Sequence, residues 1–164
     1  MSHLVEGISL SFGDDQDSGR PCVFVSGMID DHLDTEALLG AFGRVDIVDL
    51  SGISRCSSRG IALWISVLRR LDEGRIMQLV RCSPPFLWAL NLFANLCDNS
   101  NVRSVMVLYE CAGCSGETLI CLDTREKISL ASLPVTTCAK CDAEMLLCDK
   151  PEALFRFQQF SKST

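Results

Sequence analysis

An α/β fold is what this sequence predicts: a mixed β-sheet with its helices packed mainly on one face, followed by a small cysteine-held module. Two observations carry that expectation. Over residues 1–109 the apolar positions switch repeatedly between the two-residue alternation of strands and the three-to-four spacing of helices. Over the last third, two matched knuckles, Cys111-x2-Cys114 and Cys138-x2-Cys141, flank residues 115–137.

The first strand runs from His3 to Phe12, where Leu4, Ile8, Leu10 and Phe12 alternate with mostly polar partners. It breaks at the acidic hairpin Gly13-Asp14-Asp15-Gln16-Asp17-Ser18-Gly19. Cys22-Val23-Phe24-Val25 forms the second strand and stops at Gly27. Asp34 and Thr35 are capping residues for a short helix through Ala37, Leu38, Leu39 and Phe42, ended by Gly43. Val45 to Leu50 is a short apolar strand suited to a sheet interior, although it carries Asp46 and Asp49.

Ser57 and Ser58 precede a helix whose Ile61, Trp64, Ile65, Leu68 and Leu71 line one face, and Gly74 terminates it. Ile76 to Val80 is the next strand, Pro84-Pro85 opens a helix through Leu96, and Val102 to Tyr109 is the last strand. Helices on one face of such a β-β-α-β-α-β-α-β order give a two-layer arrangement. Both tryptophans sit at core spacing on their helices. Phe86, Leu87, Trp88, Leu90, Leu92, Phe93 and Leu96 cannot all point inward, so the C-terminal Leu154-Phe155-Phe157-Phe160 segment, the cysteine module or a partner covers the excess. A homodimer through Leu92 and Phe93 is one such cover.

The cysteine pairs have the spacing that gathers four thiolates around one tetrahedral Zn²⁺, as in a zinc ribbon. Gly113 and Ala139 put small residues where each knuckle turns, and Thr118-Leu119-Ile120-Cys121-Leu122 and Met145-Leu146-Leu147 supply the strands that follow. Cys121 and Cys148 each lie seven residues past a knuckle. They read as small buried apolar residues near the metal, the alternative being a second site or one metal held by six thiols. A module of about 40 residues buries too little apolar surface to stand alone, and a structural metal is the usual remedy.

Ten cysteines in a chain of 164 residues would suit a disulfide framework outside the cell, but Met1 to Gly13 has no basic flank leading into an apolar run. No stretch approaches the ~20 apolar residues of a membrane span. A reducing cytoplasm is the expected compartment. The net charge of −6 argues against nucleic acid as a partner.

Val48-Asp49-Leu50-Ser51-Gly52-Ile53, followed by Ser57-Ser58-Arg59-Gly60-Ile61, resembles the STAS domain of bacterial anti-sigma-factor antagonists. There a strand ends in a loop bearing a regulatory serine just before a glycine-led helix. Gly27-Met28-Ile29-Asp30 is similar to the Gly-x-(Leu/Ile)-Asp segment that closes the second strand in that family. The best match is a subgroup with Asn-Ser-x-Gly and a tryptophan four residues after the glycine. Ser58, Gly60 and Trp64 hold those positions, and Ser57 stands where the subgroup has Asn or Asp.

The resemblance covers about residues 3–109, and some members of the subgroup carry a C-terminal zinc ribbon. It implies a STAS-like domain over 1–109, a zinc-ribbon module over 110–150 and a C-terminal helix or tail over 151–164. It further implies a non-catalytic protein that binds a switch-protein kinase or another regulator through Asp30, Ser57, Ser58, Arg59 and Gly60. Ser58 would be the phosphate acceptor, and its phosphorylation would break the complex. A phosphate there would meet the free N–H groups of a helix start, with Arg59 beside it, and would bring about −2 of charge into the interface. Capping by Ser57 or Ser58, worth about 1 kcal/mol, is compatible with that role.

Other chemistries are less well served. A thiol-disulfide oxidoreductase needs a Cys-x-x-Cys thiolate at a helix N-terminus, whereas Cys111 and Cys114 lead into a strand-like run. His3 and His32 are the only histidines and neither has an evident nucleophile; four cysteines would also close a zinc shell to substrate. No Gly-x4-Gly-Lys phosphate cradle is present. An assembly module docking through its zinc ribbon is the remaining alternative.

Overall fold

The computed structural model describes residues 3–5 and 7–159. Phe160 and the rest of the expected tail through 164 lie outside the described residues. Strands β1 (His3–Val5), β2 (Ile8–Asp14), β3 (Pro21–Ile29), β4 (Ile47–Cys56), β5 (Met77–Val80) and β6 (Ser100–Val102) form one sheet in that spatial order. The β1–β2 and β2–β3 pairs are antiparallel and the rest parallel, so the sheet is mixed. Strands β7 (Ser104–Cys111), β8 (Glu117–Asp123) and β9 (Met145–Leu147) form a second, antiparallel sheet in the order β8-β7-β9. Helices α1 (Thr35–Phe42), α2 (Ser58–Arg69) and α3 (Pro84–Leu92) connect the first sheet, and α4 (Pro151–Leu154) follows the second.

The strands expected at the N-terminus are re-divided. Gly7 takes a φ of +90° and splits the single strand expected over His3 to Phe12 into β1 and β2. The second strand does not stop at Gly27: that residue adopts φ +108° within β3, and a Cβ there would stand 2.5 Å from the Gly7 carbonyl oxygen. β4 likewise runs on through Ser51-Gly52 to Cys56. The expected strand Val102 to Tyr109 is two strands, one in each sheet, because Arg103 separates β6 from β7.

The three main helices share one face of the first sheet. Trp64 of α2 sits at the centre of the core, edge-on to Phe42 of α1 at 5.2 Å and to Phe86 of α3 at 5.5 Å. Val23, Val25, Val48 and Leu50 point into the same core. Their alternates Cys22, Phe24 and Ile47 meet Val80 on the opposite face. Asp34 caps α1 by accepting N–H bonds from Glu36 at 3.0 Å and Ala37 at 2.9 Å.

The core continues into the second sheet through Val105, Val107, Tyr109 and Leu122, and into the C-terminal segment through Leu154, Phe155 and Phe157. That segment covers part of α3. The buried Asn91 donates to the Leu154 carbonyl at 2.8 Å and accepts from the Phe157 N–H at 2.8 Å, tying two stretches of chain. Trp88 departs from the core position expected for it. Phe86, Leu87 and Leu90 occupy the inner face of α3, which turns Trp88 outward at 44% exposure and Leu92 at 73%.

Candidate functional site

The parallel strands β3 and β4 end side by side, and α2 starts directly above them. The Ser57 N–H donates to the Ile29 carbonyl at 2.8 Å, while the Ser57 hydroxyl accepts from the Gly60 N–H at 3.0 Å as the helix cap. Ser58 and Arg59 are exposed on the first turn, Ser57 is half-buried and Gly60 is buried. The approach is close enough that a Cβ on Gly60 would stand 2.3 Å from the Ile29 carbonyl oxygen and 2.6 Å from the Asp30 nitrogen. Asp30 therefore lies against that turn, and its carboxylate accepts the His32 N–H at 3.0 Å. The geometry gathers Asp30, Ser57, Ser58, Arg59 and Gly60 around one helix start, whose first N–H groups have no intrahelical acceptor.

The four knuckle cysteines meet at the far end of β7. Their sulfurs all lie within 4.8 Å of one another, with Cys111 3.4 Å from Cys141 and Cys114 3.6 Å from Cys138. Four sulfurs at zinc–thiolate bond lengths around a tetrahedral ion stand about 3.8 Å apart. The backbone serves thiolates rather than thiols: the N–H groups of Gly113 and Cys114 point at the Cys111 sulfur at 3.3 and 3.4 Å, and that of Lys140 at the Cys138 sulfur at 3.4 Å. The Cys114 N–H, followed by that of Gly113, draws the Cys111 thiol down to about 6. Cys141 accepts the Ala143 N–H, but sharing its surroundings with Cys111 and the other thiols pushes it up to about 12. A Cβ on Gly113 would stand 3.2 Å from the Cys141 sulfur and 2.9 Å from Ala143, so the knuckle needs the bare backbone there. The donor set and its spacing fit one tetrahedral metal ion.

Cys121 and Cys148 are not the buried apolar neighbours expected. Both are exposed. β7 pairs Met106 with Cys121, and the Cys148 N–H bonds the Leu108 carbonyl, which puts both thiols on the outer face of the second sheet. The strands turn Val105, Val107 and Leu122 inward instead, and period-two alternation sends the cysteines out.

One polar cluster escapes sequence reasoning. Asp49, 2% exposed on the face of β4 away from the helices, accepts from Arg81 Nε at 2.6 Å. A second Arg81 nitrogen lies 3.9 Å from the buried Asp15 carboxylate in the β2–β3 hairpin. Arg81 holds φ +48° at the end of β5 to make this reach. Asp49 inside an apolar strand was the available signal; nothing in the sequence names its partner.

No protein-family model matches this chain, and no curated protein does. Among solved structures, an anti-sigma factor antagonist from Mycobacterium paratuberculosis is similar at 21% identity and a TM-score of 0.42, over 60% of this chain and 87% of that one. Among the described residues, no helix is long and apolar enough to cross a membrane.

Proposed function

We propose that this protein is a non-catalytic regulator of the STAS, anti-sigma-factor-antagonist type, which binds a protein partner through the surface around Ser58 and is released when Ser58 is phosphorylated. The observation behind it is the strand–loop–Ser-x-Gly–helix segment, with Ser58 exposed on the turn that packs against Asp30 through Gly60 and its neighbour Ser57 committed to capping. That division of labour leaves the Ser58 hydroxyl open to a kinase. Phosphate on it would add charge to an already acidic protein at the middle of the contact, which opposes binding. In this reading residues 1–109 are the regulatory part. Cys111, Cys114, Cys138 and Cys141 hold a structural Zn²⁺ that staples residues 110–150, and 151–164 forms the C-terminal helix or tail.

Intact-protein mass spectrometry under native and denaturing conditions, on protein from its own cells, tests both parts. One zinc per chain and a phosphate mapped to Ser58 are expected. Ser58→Asp should weaken partner capture while Ser58→Ala preserves it, and equal capture by both variants would overturn the switch. A constitutive assembly module is the second reading, favoured by the exposed Trp88 and Leu92 on α3. It requires a dimer that Leu92→Asn dissolves without unfolding the chain.

A further inference from the structure

The outer face of the second sheet is apolar in the middle and acidic at one end. Register places Met106 beside Cys121 and Leu108 beside Leu119, with Cys148 across from Leu108. Leu119 and Leu146 are 47% and 51% exposed, although β-sheet faces open to water ordinarily carry polar side chains. At the knuckle end, Glu110 pairs directly with Glu117 on one side and with Leu146 on the other. Like charges placed opposite each other on neighbouring strands are unfavourable. Among the described residues no cation pairs with either glutamate. A cleft of about 360 Å³ opens beside Glu110, on its β9 side, lined in part by Glu110, Leu146 and Cys148.

Two carboxylates held together without a counter-charge, next to exposed aliphatic side chains, make a surface complementary to one chemistry. We propose that this face docks a protein segment that sets lysine or arginine beside aliphatic residues. The basic side chain would seat against the paired Glu110 and Glu117, and the aliphatic ones would cover Leu108, Leu119 and Leu146. A second copy of this chain fits poorly, because it brings a net charge of −6 to the glutamates. An anionic membrane or nucleic acid is repelled for the same reason. This surface belongs to the second sheet, whereas Ser58 opens α2 over the first, and it does not depend on the switch reading.

The test uses the full chain loaded with zinc and short synthetic peptides in which Leu and Val alternate with Lys or Arg, read by fluorescence anisotropy. The controls carry Glu in place of each basic residue. Saturable binding of the basic peptides alone, falling with added salt, is expected. The pair Glu110→Lys and Glu117→Lys should weaken it about tenfold or more, as should Leu119→Asn with Leu146→Asn, while Ser58→Asp leaves it unchanged. Bound basic peptide should also shield Cys121 and Cys148 of the unaltered protein from alkylation, a readout that stands even where a variant fails to hold its metal. Equal binding of basic and acidic peptides, no binding, unshielded thiols, or a peptide-free dimer that protects the same two cysteines would each overturn the proposal.

Discussion

Gly60→Ala should destabilise the protein, although alanine is the better helix former. A Cβ at this position would sit 2.3 Å from the Ile29 carbonyl oxygen, 2.4 Å from the Ile29 carbonyl carbon and 2.6 Å from the Asp30 nitrogen. These are backbone atoms of a buried strand end, held by the bond from the Ser57 N–H and by pairing with β4. They cannot rotate away as a side chain would, so the start of α2 has to lift by about 1 Å to restore ordinary contact distances. Ile61 is the first buried side chain to follow it, and Trp64 lies one turn further on. A buried aliphatic side chain makes several tens of contacts of ~0.1–0.2 kcal/mol each, and a gap of that size forfeits about a quarter, close to 2 kcal/mol at Ile61 alone. Helix propensity returns at most ~1 kcal/mol. A further share lost at Trp64 brings the net cost to about 2 kcal/mol, within the usual range for overpacking.

Gly40→Ala is the matched control. Gly40 lies inside α1 with nothing within 4 Å of a built Cβ, so only propensity operates and the protein should gain about 0.5–1 kcal/mol. Urea unfolding followed by tryptophan fluorescence should move the midpoint down by about 1 M for Gly60→Ala and up by a few tenths for Gly40→Ala. If both variants rise together, α2 does not press on the end of β3 as described, and the surface around Ser58 loses its geometric basis.

Three further outcomes are expected. Cobalt(II) bound in place of zinc should give thiolate charge-transfer absorption at one equivalent per chain; Cys138→Ser should abolish it, and Cys121→Ser and Cys148→Ser should leave it intact. Arg81→Met should cost about 3–5 kcal/mol in urea unfolding, because it strands the buried Asp49, and combining it with Asp49→Leu should recover most of that loss. Burial raises the Asp15 pKa, but hydrogen bonds from the Ser18 hydroxyl and N–H, with the Arg81 charge, outweigh it and hold the carboxyl below its ordinary 3.8. A lowered folded-state pKa stabilises above the unfolded value, and that stability drains as pH falls through the folded one. Asp15→Asn should therefore flatten the decline in urea midpoint below about pH 4.

The elements fixed by local chemistry were legible in the sequence. Asp34 and Ser57 cap α1 and α2 as their residue types lead one to expect, and the two knuckles converge as their spacing requires. What escaped depends on partners remote in sequence. Alternation marks Val102 to Tyr109 as extended but does not say that Arg103 hands the chain from one sheet to another. The same alternation leaves open which face of β8 is covered, so Cys121 read as buried and is exposed. Trp88 fits a helical core pattern, yet Phe86, Leu87 and Leu90 fill the space beneath α3 first. The Arg81–Asp49 pair joins β4 to the residue just past the end of the parallel strand β5, a register that no local pattern encodes.

Strand β7 is where the two halves of the molecule become mechanically one. Its Val105 bridges Cys82 beyond the end of β5: the Cys82 N–H donates to Ser104 at 3.1 Å and the Met106 N–H to Cys82 at 2.7 Å. Its inner residues Val105, Val107 and Tyr109 belong to the core that also holds Trp64, and its last residue is the knuckle cysteine Cys111. A metal ion at that end would thus be anchored to the core on one side and would hold residues 138–148 on the other. Those residues include β9, which has three residues and too few ladder bonds to pair stably by itself. The expected consequence is directional: the metal supports β9 and the outer face bearing Leu146 and Cys148, whereas the α2 start bearing Ser58 is held by β3 and β4 without it.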